Sequence, residues 1–305
     1  MTRLALKISH LSSHQLAVLL MIGSAAAWAT GTVMSKFSLS YFPPLPLFVT
    51  QLAASVIVLW IVVILRHQKP HRNWKLLRLG WTGLLEPGLA FVLVLVGLSR
   101  TTASVSTFIG ATESFMVIVF AYFILRERVS RRTLLLMVGA LCGVLMISLS
   151  GGDQGAHSVF GDGLVLAGTA CAALYVVLSS RSVAEMEPLP LCALQQTFGL
   201  MLALLVLPAG LGDGEFTVLL AIPVTAWIWA LLNGLVQYAL AFILYLMALK
   251  GMPATRAALF LTLIPIFGVI ESALFLGEQM TLIQLAGGAI ILATLLGLNV
   301  KRQTA

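Results

Sequence analysis

The sequence predicts an all-α integral membrane protein with ten transmembrane helices, arranged as two inverted five-helix repeats around a central cavity. Three observations predict this fold class: an apolar composition, ten apolar runs between charged or Pro/Gly-rich breaks, and a duplicated chain. Hydrophobic residues make up 60% of the 305 residues and charged residues only 10%, whereas about a quarter of a soluble domain is charged. A chain of this composition is apolar on its outside too, which is typical of a polytopic membrane protein.

The ten apolar runs are the candidate spans. The breaks between 98 and 103 and between 276 and 280 are short enough to be tight helical hairpins. Basic residues before the first run imitate a cleavable signal peptide, but the apolar stretch continues through Val33, which favours a retained helix. The predicted spans are 15–35, 46–65, 76–98, 103–125, 132–149, 161–180, 189–210, 222–249, 254–276 and 280–299.

The basic residues predict the orientation of these spans, because Lys and Arg accumulate in cytoplasmic loops. With the N-terminus in the cytoplasm, only Lys36 and Arg100 of the 18 Lys and Arg residues fall outside. Both chain ends are therefore expected to be cytoplasmic. The net charge of +7 sits in short clusters between apolar runs, not on a basic face, which argues against a nucleic-acid partner.

The second half of the chain repeats the first. At a shift of 151 residues, 98–127 aligns with 249–278 without gaps, and Glu86 aligns with Gln237. At a shift of 144 residues, "LPLFVTQ" aligns with "LPLCALQ". The predicted repeats are 1–150 and 151–305. Because five spans are an odd number, the second repeat enters the membrane from the opposite side, a design that recurs in secondary transporters with a site near the bilayer midplane.

Several motifs carry a resemblance to a known family. The helix ends "LRERVS" and "LGEQMT", the Gly-containing helices "MVGALCGVLMI" and "LAGGAIILATL", and "WATGTVMSK" in the first span resemble the EamA-type family of the drug/metabolite transporter superfamily. The resemblance covers nearly the whole chain and implies a ten-helix basket that exports amino acids or other metabolites from the cell (inner) membrane. The sequence departs from the family pattern at Ala173 and Leu174, where a Trp is common. It also departs at Ser114 of the fourth span, which aligns with Pro265 of the ninth span in the repeat.

Three acidic residues lie inside apolar runs: Glu86, Glu113 and Glu271. An acidic side chain at bilayer depth costs roughly 2.5–3.5 kcal/mol and so normally faces a cavity or a partner. Glu86 and Glu113 lie on consecutive antiparallel spans at depths that differ by only ~3 Å, so they could share a proton or a cationic substrate. The alternative is that local Ser, Thr or backbone groups cap each of them. Glu271, near the end of its span, is interpreted as reaching the interface.

Polar and aromatic side chains inside the spans supply the remaining candidates for a substrate pathway. Amides can hold a polar substrate, although interhelical hydrogen bonding accounts for them equally well. Trp28 lies among small residues and is expected to line the cavity, whereas the tyrosines could equally be packing residues. The candidates are Gln51, Gln195, Asn233, Gln237, Trp28, Tyr175 and Tyr238.

The residues at the helix ends and the small-residue pairs have structural interpretations. Glu127 and Glu278 are expected to be end caps or ion-pair residues. Gly139 and Gly143 form a small-xxx-small pattern that serves either packing within the chain or a dimer face, which leaves a monomer or a homodimer open.

Enzyme chemistry is the competing class of function. The sequence has no H-E-x-x-H, G-x-S-x-G or P-loop motif, and its five histidines lie in terminal or loop segments. We therefore expect no catalytic residue, metal or cofactor. The partners are a small-molecule substrate and the lipid bilayer. The predicted function is secondary export of an amino acid or related compound, with proton coupling as a further hypothesis; the alternatives are cationic drugs or an opine-type metallophore as cargo, or an intramembrane enzyme.

Overall fold

The computed structural model describes residues 13–68, 78–98, 100, 109–110, 112–149, 158–210, 219–276 and 281–299. Within these ranges the chain is helical and contains no β-strand. The main helical stretches are labelled in chain order: α1 Ser13–Ser38, α2 Pro44–Leu65, α3 78–98, α4 Glu113–Leu125, α5 Arg131–Leu149, α6 Val159–Glu185, α7 Pro188–Gly210, α8 Val224–Leu249, α9 254–276 and α10 Leu282–Asn299.

Seven helices in the described part of the chain are long and apolar enough to cross a membrane, namely α1, α2, α3, α6, α7, α8 and α9. The stretches α4 and α10 are shorter apolar helices. The chain is therefore a multi-pass membrane protein as far as length and composition decide it, and the count of ten crossings stays a prediction.

Helix boundaries follow the sequence closely where a residue forces them. Pro44 and Pro188 open α2 and α7, because proline at the first helical position loses no hydrogen bond. At the other end of α4, Arg126 adopts a left-handed conformation with φ of 57° and stops the helix. Each bound in these cases lies within two or three residues of the predicted span.

Several helices are interrupted, which apolar periodicity alone did not predict. α3 consists of a 3-10 segment Arg78–Leu84, a π-helical turn Leu85–Leu89 and an α-helix Ala90–Leu98. α8 has its own π-helical segment, Gly234–Leu240. α9 is divided into Ala254–Leu261 and Ile264–Leu276. Irregular backbone at membrane depth is tolerated where protein surrounds it or where it lines a cavity.

The core lies between α1, α2, α6, α7 and α8, and the outer faces remain apolar. Tyr175, Phe242 and Tyr245 are almost completely buried, whereas Leu205 is 77% exposed and Leu65 72% exposed. Exposed leucines on this scale are expected where lipid rather than water covers the surface. The principal helix pairs are α5 with α10, α3 with both α6 and α7, α2 with both α7 and α8, and α1 with both α8 and α9.

Two predicted structural roles can be followed in these contacts. A Cβ on Gly139 or Gly143 would meet Thr294 or the Gly287 carbonyl and Ile291 of α10, so the small-residue pattern serves packing within the chain. Glu127 accepts hydrogen bonds from the Ala254 and Thr255 N–H groups at 3.2 and 3.4 Å and from the Thr255 hydroxyl at 2.8 Å. Its prediction as an end cap is confirmed, with α9 as the helix that it caps; Glu278 lies outside the described residues.

Candidate functional site

Breaks in three helices bring backbone and acidic side chains together inside the bundle. In α3, Glu86 has an extended conformation (φ −146°, ψ 128°), because the following residue is Pro87, which disfavours helical geometry at the residue before it. α4 begins at Glu113, directly after a turn at Thr112. The break in α9 falls at Thr262 and Leu263, just before Pro265. Discontinuous helices of this kind form the binding sites of many secondary transporters.

A cavity of about 340 Å³ lies between α1, α4, α5 and α9 at these breaks. Glu113 is the acidic residue of its lining, and its remaining lining residues are small, hydroxylated or apolar. They are Ala29, Thr32, Gly110, Ser114, Val144, Leu261, Thr262, Ile264, Pro265 and Gly268. A cavity of this volume and composition suits a small amphipathic molecule, since such sites are mostly apolar with a few placed polar groups.

The Glu86 carboxyl lies beside this cavity rather than in its lining. It interacts electrostatically with Glu113 and with the hydroxyls of Tyr175, Tyr238 and Tyr245. Within the described residues, neither Glu86 nor Glu113 takes part in a side-chain hydrogen bond, so the local caps that the sequence left as an alternative are not found there. Two carboxyl groups close enough to repel each other when both are ionised can share one proton.

The aromatic candidates form one buried cluster next to Glu86. The Trp28 ring lies 5.0 Å from that of Phe242 and 5.5 Å from that of Tyr245, and Tyr175 packs on the same two rings at 5.9 and 6.4 Å. Tyr238 packs on Phe242 at 6.4 Å. Among the described residues the buried Tyr245 hydroxyl has no hydrogen-bond partner, and Tyr245 is not among the residues predicted above for a substrate pathway.

Two hydrogen-bond networks take up the predicted amides. In the first, Ser35 donates to Gln237 at 2.9 Å and accepts from Asn233 at 2.8 Å and from Gln51 at 3.3 Å. These bonds join α1, α2 and α8. They are the interhelical role that the sequence left open for these amides, and a part in a substrate pathway stays a prediction.

The second network joins α3, α6 and α7 around Gln195. Its amide nitrogen donates to Thr82 at 2.7 Å and to Ser179 at 3.0 Å. Its carbonyl oxygen accepts from the Tyr175 hydroxyl at 3.1 Å. Because the second network ends at Tyr175, it reaches the aromatic cluster of Trp28, Phe242 and Tyr245.

Glu271 does not reach the interface as the sequence suggested. Thr30 of α1 donates a hydrogen bond to its Oε1 at 2.9 Å, and its Oε2 is buried with no partner among the described residues. Glu271 follows the cavity-lining residues Ile264 and Gly268 by seven and three positions, the spacing of one helix face, and only the structure shows which residues line the cavity. Its depth was judged from its distance to the helix end, which ignored the face.

Comparison with known proteins gives a consistent result. The model of the EamA-like transporter family matches residues 15–149 and again 159–300. A protein of Bacillus subtilis strain 168 named "Uncharacterized transporter YetK" is 26% identical over 259 residues, covering 83% of this chain and 77% of the relative. "Uncharacterized transporter YvbV" from the same strain is 27% identical over 279 residues, covering 90% and 88%. A solved crystal structure matches the fold with a TM-score of 0.75 at 15% identity, covering 93% of this chain and 96% of that one.

Proposed function

The chain belongs to the EamA-like transporter family, and from this membership we propose that it exports a small amine-bearing metabolite by alternating access. It is a membrane transporter and not an enzyme, as its relatives are also named transporters. The observation that carries the proposed cargo is the 340 Å³ cavity whose lining includes Glu113. The protein is proposed to lie in the cell (inner) membrane, with both chain ends in the cytoplasm.

The proposed architecture is ten crossings in two inverted repeats, 1–150 and 151–305. The family model matches the chain twice, once in each half. The helix pairs also support it: α3 packs on α6 and α8 packs on α1, while α2 pairs with α7 and α5 with α10. Exchanging the halves turns the first pair into the second and leaves the last two unchanged, as a two-fold axis requires.

The close backbone contacts follow the same exchange. A Cβ on Gly83 would overlap the backbone of Gln195, and a Cβ on Gly234 would overlap the backbone of Gln51. Gly83 and Gly234 are 151 residues apart, and Gln51 and Gln195 are 144 apart, which are the two shifts of the sequence repeat. Each glycine thus meets the glutamine that corresponds to the partner of the other glycine, and these two matching contacts support a common origin for the halves.

The two hydrogen-bond networks correspond in the same way. Ser35 matches Ser179, Gln51 matches Gln195 and Asn233 matches Thr82 at these shifts. The fourth members do not correspond: the second network has Tyr175, whereas the position that matches Gln237 is Glu86, which lies outside that network. We therefore assign Glu86 to a position that the other half fills with an uncharged amide.

The chemistry of the cavity favours an amine over a carboxylate as the recognised group. Glu113 lines the cavity and can pair with an ammonium group in surroundings where the pair is little screened, while the hydroxyl-bearing residues Thr32 and Ser114 of the lining can accept hydrogen bonds from the same group. An amino acid or related amine meets both conditions, and a cationic drug is the alternative cargo. A carboxylate-rich metallophore fits less well, because it would bring like charge to Glu113 and Glu86.

Proton coupling is the proposed source of energy. Glu86 and Glu113 lie within electrostatic reach of each other, so a cation that pairs with Glu113 would displace a proton from the pair. Entry of a proton and release of the amine would then occupy alternate halves of one transport cycle. The chain itself carries no ATP-binding P-loop.

A liposome assay with the purified protein and an internal pH-sensitive dye tests this proposal. Lysine, phenylalanine and tetraphenylphosphonium serve as probes of an amine-rich amino acid, an aromatic amino acid and a lipophilic cation. We expect at least one probe to drive a proton flux, and Glu113→Gln to reduce that flux at least tenfold. Glu185→Gln is the matched control, because Glu185 is exposed at the end of α6 and should transport at the wild-type rate.

The outcome that contradicts the coupling proposal is specific. If Glu86→Gln and Glu113→Gln both move the probe at the wild-type rate with an unchanged pH profile, the pair has no part in coupling. Probe uptake without any proton flux in the wild type would leave transport in place and remove the coupling.

A further inference from the structure

A second cavity, of about 720 Å³, lies between α1, α2, α7 and α8, away from Glu113. We call it the lateral groove. Its walls are almost entirely aliphatic, with side chains such as Leu16, Leu20, Val62, Leu240 and Met247. The 340 Å³ cavity described above has the Glu113 carboxyl group and hydroxyls in its lining, so the two cavities suit different molecules.

The lateral groove opens sideways to the surroundings of the bundle. Leu240 is 46% exposed, Met247 41% exposed and Leu16 37% exposed, although all three line the groove. These side chains belong to membrane-crossing helices. The opening therefore faces the acyl chains of the bilayer and is accessible to an amphiphile that is already in the membrane.

One end of the lateral groove is charged. Arg66 follows α2, Lys250 follows α8 and Glu187 precedes α7, and all three line the groove. Helix ends that follow long apolar runs lie near the level of the lipid headgroups. Lys250 donates to Glu187 at 2.9 Å, and in the described part of the chain Arg66 has no carboxylate partner. Two cations against one carboxylate leave one positive charge at this end.

We propose that the lateral groove binds one anionic phospholipid. An acyl chain lies along the aliphatic walls, and the phosphate lies at Arg66 and Lys250. A guanidinium presents paired N–H donors that match two phosphate oxygens, and the Lys250 ammonium has donors left beyond its bond to Glu187. The single excess positive charge matches the single negative charge of a phosphodiester. This site does not depend on the identity of the transported cargo or on proton coupling.

Native mass spectrometry of the delipidated full-length protein tests the proposal. The probes are phosphatidylglycerol and phosphatidylcholine with identical acyl chains, and inorganic phosphate alone. We expect phosphatidylglycerol to bind about tenfold more tightly than phosphatidylcholine. Both lipids carry the same phosphodiester, but the choline of phosphatidylcholine would bring a quaternary ammonium, a like charge, to Arg66 and Lys250. Phosphate alone should neither bind measurably nor raise the melting temperature.

Variants separate this site from general lipid association. Arg66→Gln should abolish the preference for phosphatidylglycerol, while Arg128→Gln, which changes an exposed arginine outside the groove, should retain it. Met247→Trp, on the exposed wall, should weaken both lipids. The proposal is overturned if the wild type binds the two lipids equally, if the preference survives in the Arg66→Gln, Lys250→Gln double variant, or if phosphate alone stabilises the protein as well as the lipid does.

Discussion

Ser35 holds three amide side chains with one hydroxyl. It donates its proton to Gln237 and accepts from Gln51 and Asn233, which uses the one donor and two acceptor positions of a hydroxyl in full. The three amides come from two different helices, and each is buried. A residue that satisfies this many buried groups contributes more to stability than its own hydrogen bonds, because removing it leaves each partner unpaired.

We therefore predict that Ser35→Ala destabilises the protein by ~2 kcal/mol or more. Thermal unfolding in detergent measures the effect as a lower melting temperature. Ser40→Ala is the matched control, because Ser40 is exposed and its hydroxyl donates to the Phe37 carbonyl three residues earlier in the chain. Equal melting temperatures for the two variants would mean that the Ser35 network adds nothing to stability.

At the scale of single elements, the helices that cross closest are the ones with glycine at the contact. Gly83 in α3 and Gly234 in α8 let the backbones of α7 and α2 approach to a separation that no side chain fits. Both glycines lie just before or within an irregular segment, Leu85–Leu89 in one case and Gly234–Leu240 in the other. The close approach and the irregular backbone together fix where Glu86 and Gln237 lie.

We expect Gly83→Ala and Gly234→Ala each to destabilise the bundle by about 1–3 kcal/mol through overpacking, despite the higher helix propensity of alanine. Gly163→Ala serves as the control, since a Cβ at Gly163 in α6 would have no neighbour within 4 Å. That variant should unfold at the wild-type temperature or above it. Tolerance of alanine at both contact positions, measured in the same unfolding assay, would contradict the close approach.

The elements show what sequence reasoning can reach and where it stops. The bounds of α2 and α7 were predictable, because prolines and charges mark them and apolar runs have a minimum length. The break in α9 and the irregular segment of α8 were not, because an interrupted helix has the same apolar composition as a regular one. The similar depth of Glu86 and Glu113 could be read from the sequence alone, whereas the partner of Glu271 depended on which face of α9 turns toward α1.

At the scale of the whole molecule, the proposed inverted repeat would let one chain build a site from both sides. Helix pairs, close contacts and polar networks correspond at shifts of 144 and 151 residues, the change of shift falling between the second and third span. Duplication with an odd number of spans turns the second half over in the membrane. The orientation of each loop then follows from the basic residues.

The topology this implies can be measured with fusions along the chain. A fluorescent protein joined after residue 305 should fold and fluoresce in the cytoplasm, while a periplasm-dependent alkaline phosphatase at the same point should be inactive. Fusions within 152–157 should give the reverse result, because that loop is predicted to be outside. Cytoplasmic reporter activity at both points would rule out an odd number of spans between them, that is, in the second half.

Glu86 and Gln237 occupy corresponding positions of the two halves, and this difference has a consequence for how a carrier of this shape would run. Two similar halves would let the molecule exchange between an inward-open and an outward-open state with little change in internal contacts. Neither state would then be strongly favoured. Only one of the two corresponding positions can release hydrogen ions, however, and it belongs to a single half. Mechanical reversibility and chemical one-sidedness would then coexist, and the acidity on one face of the membrane would bias a movement that the scaffold itself leaves nearly balanced.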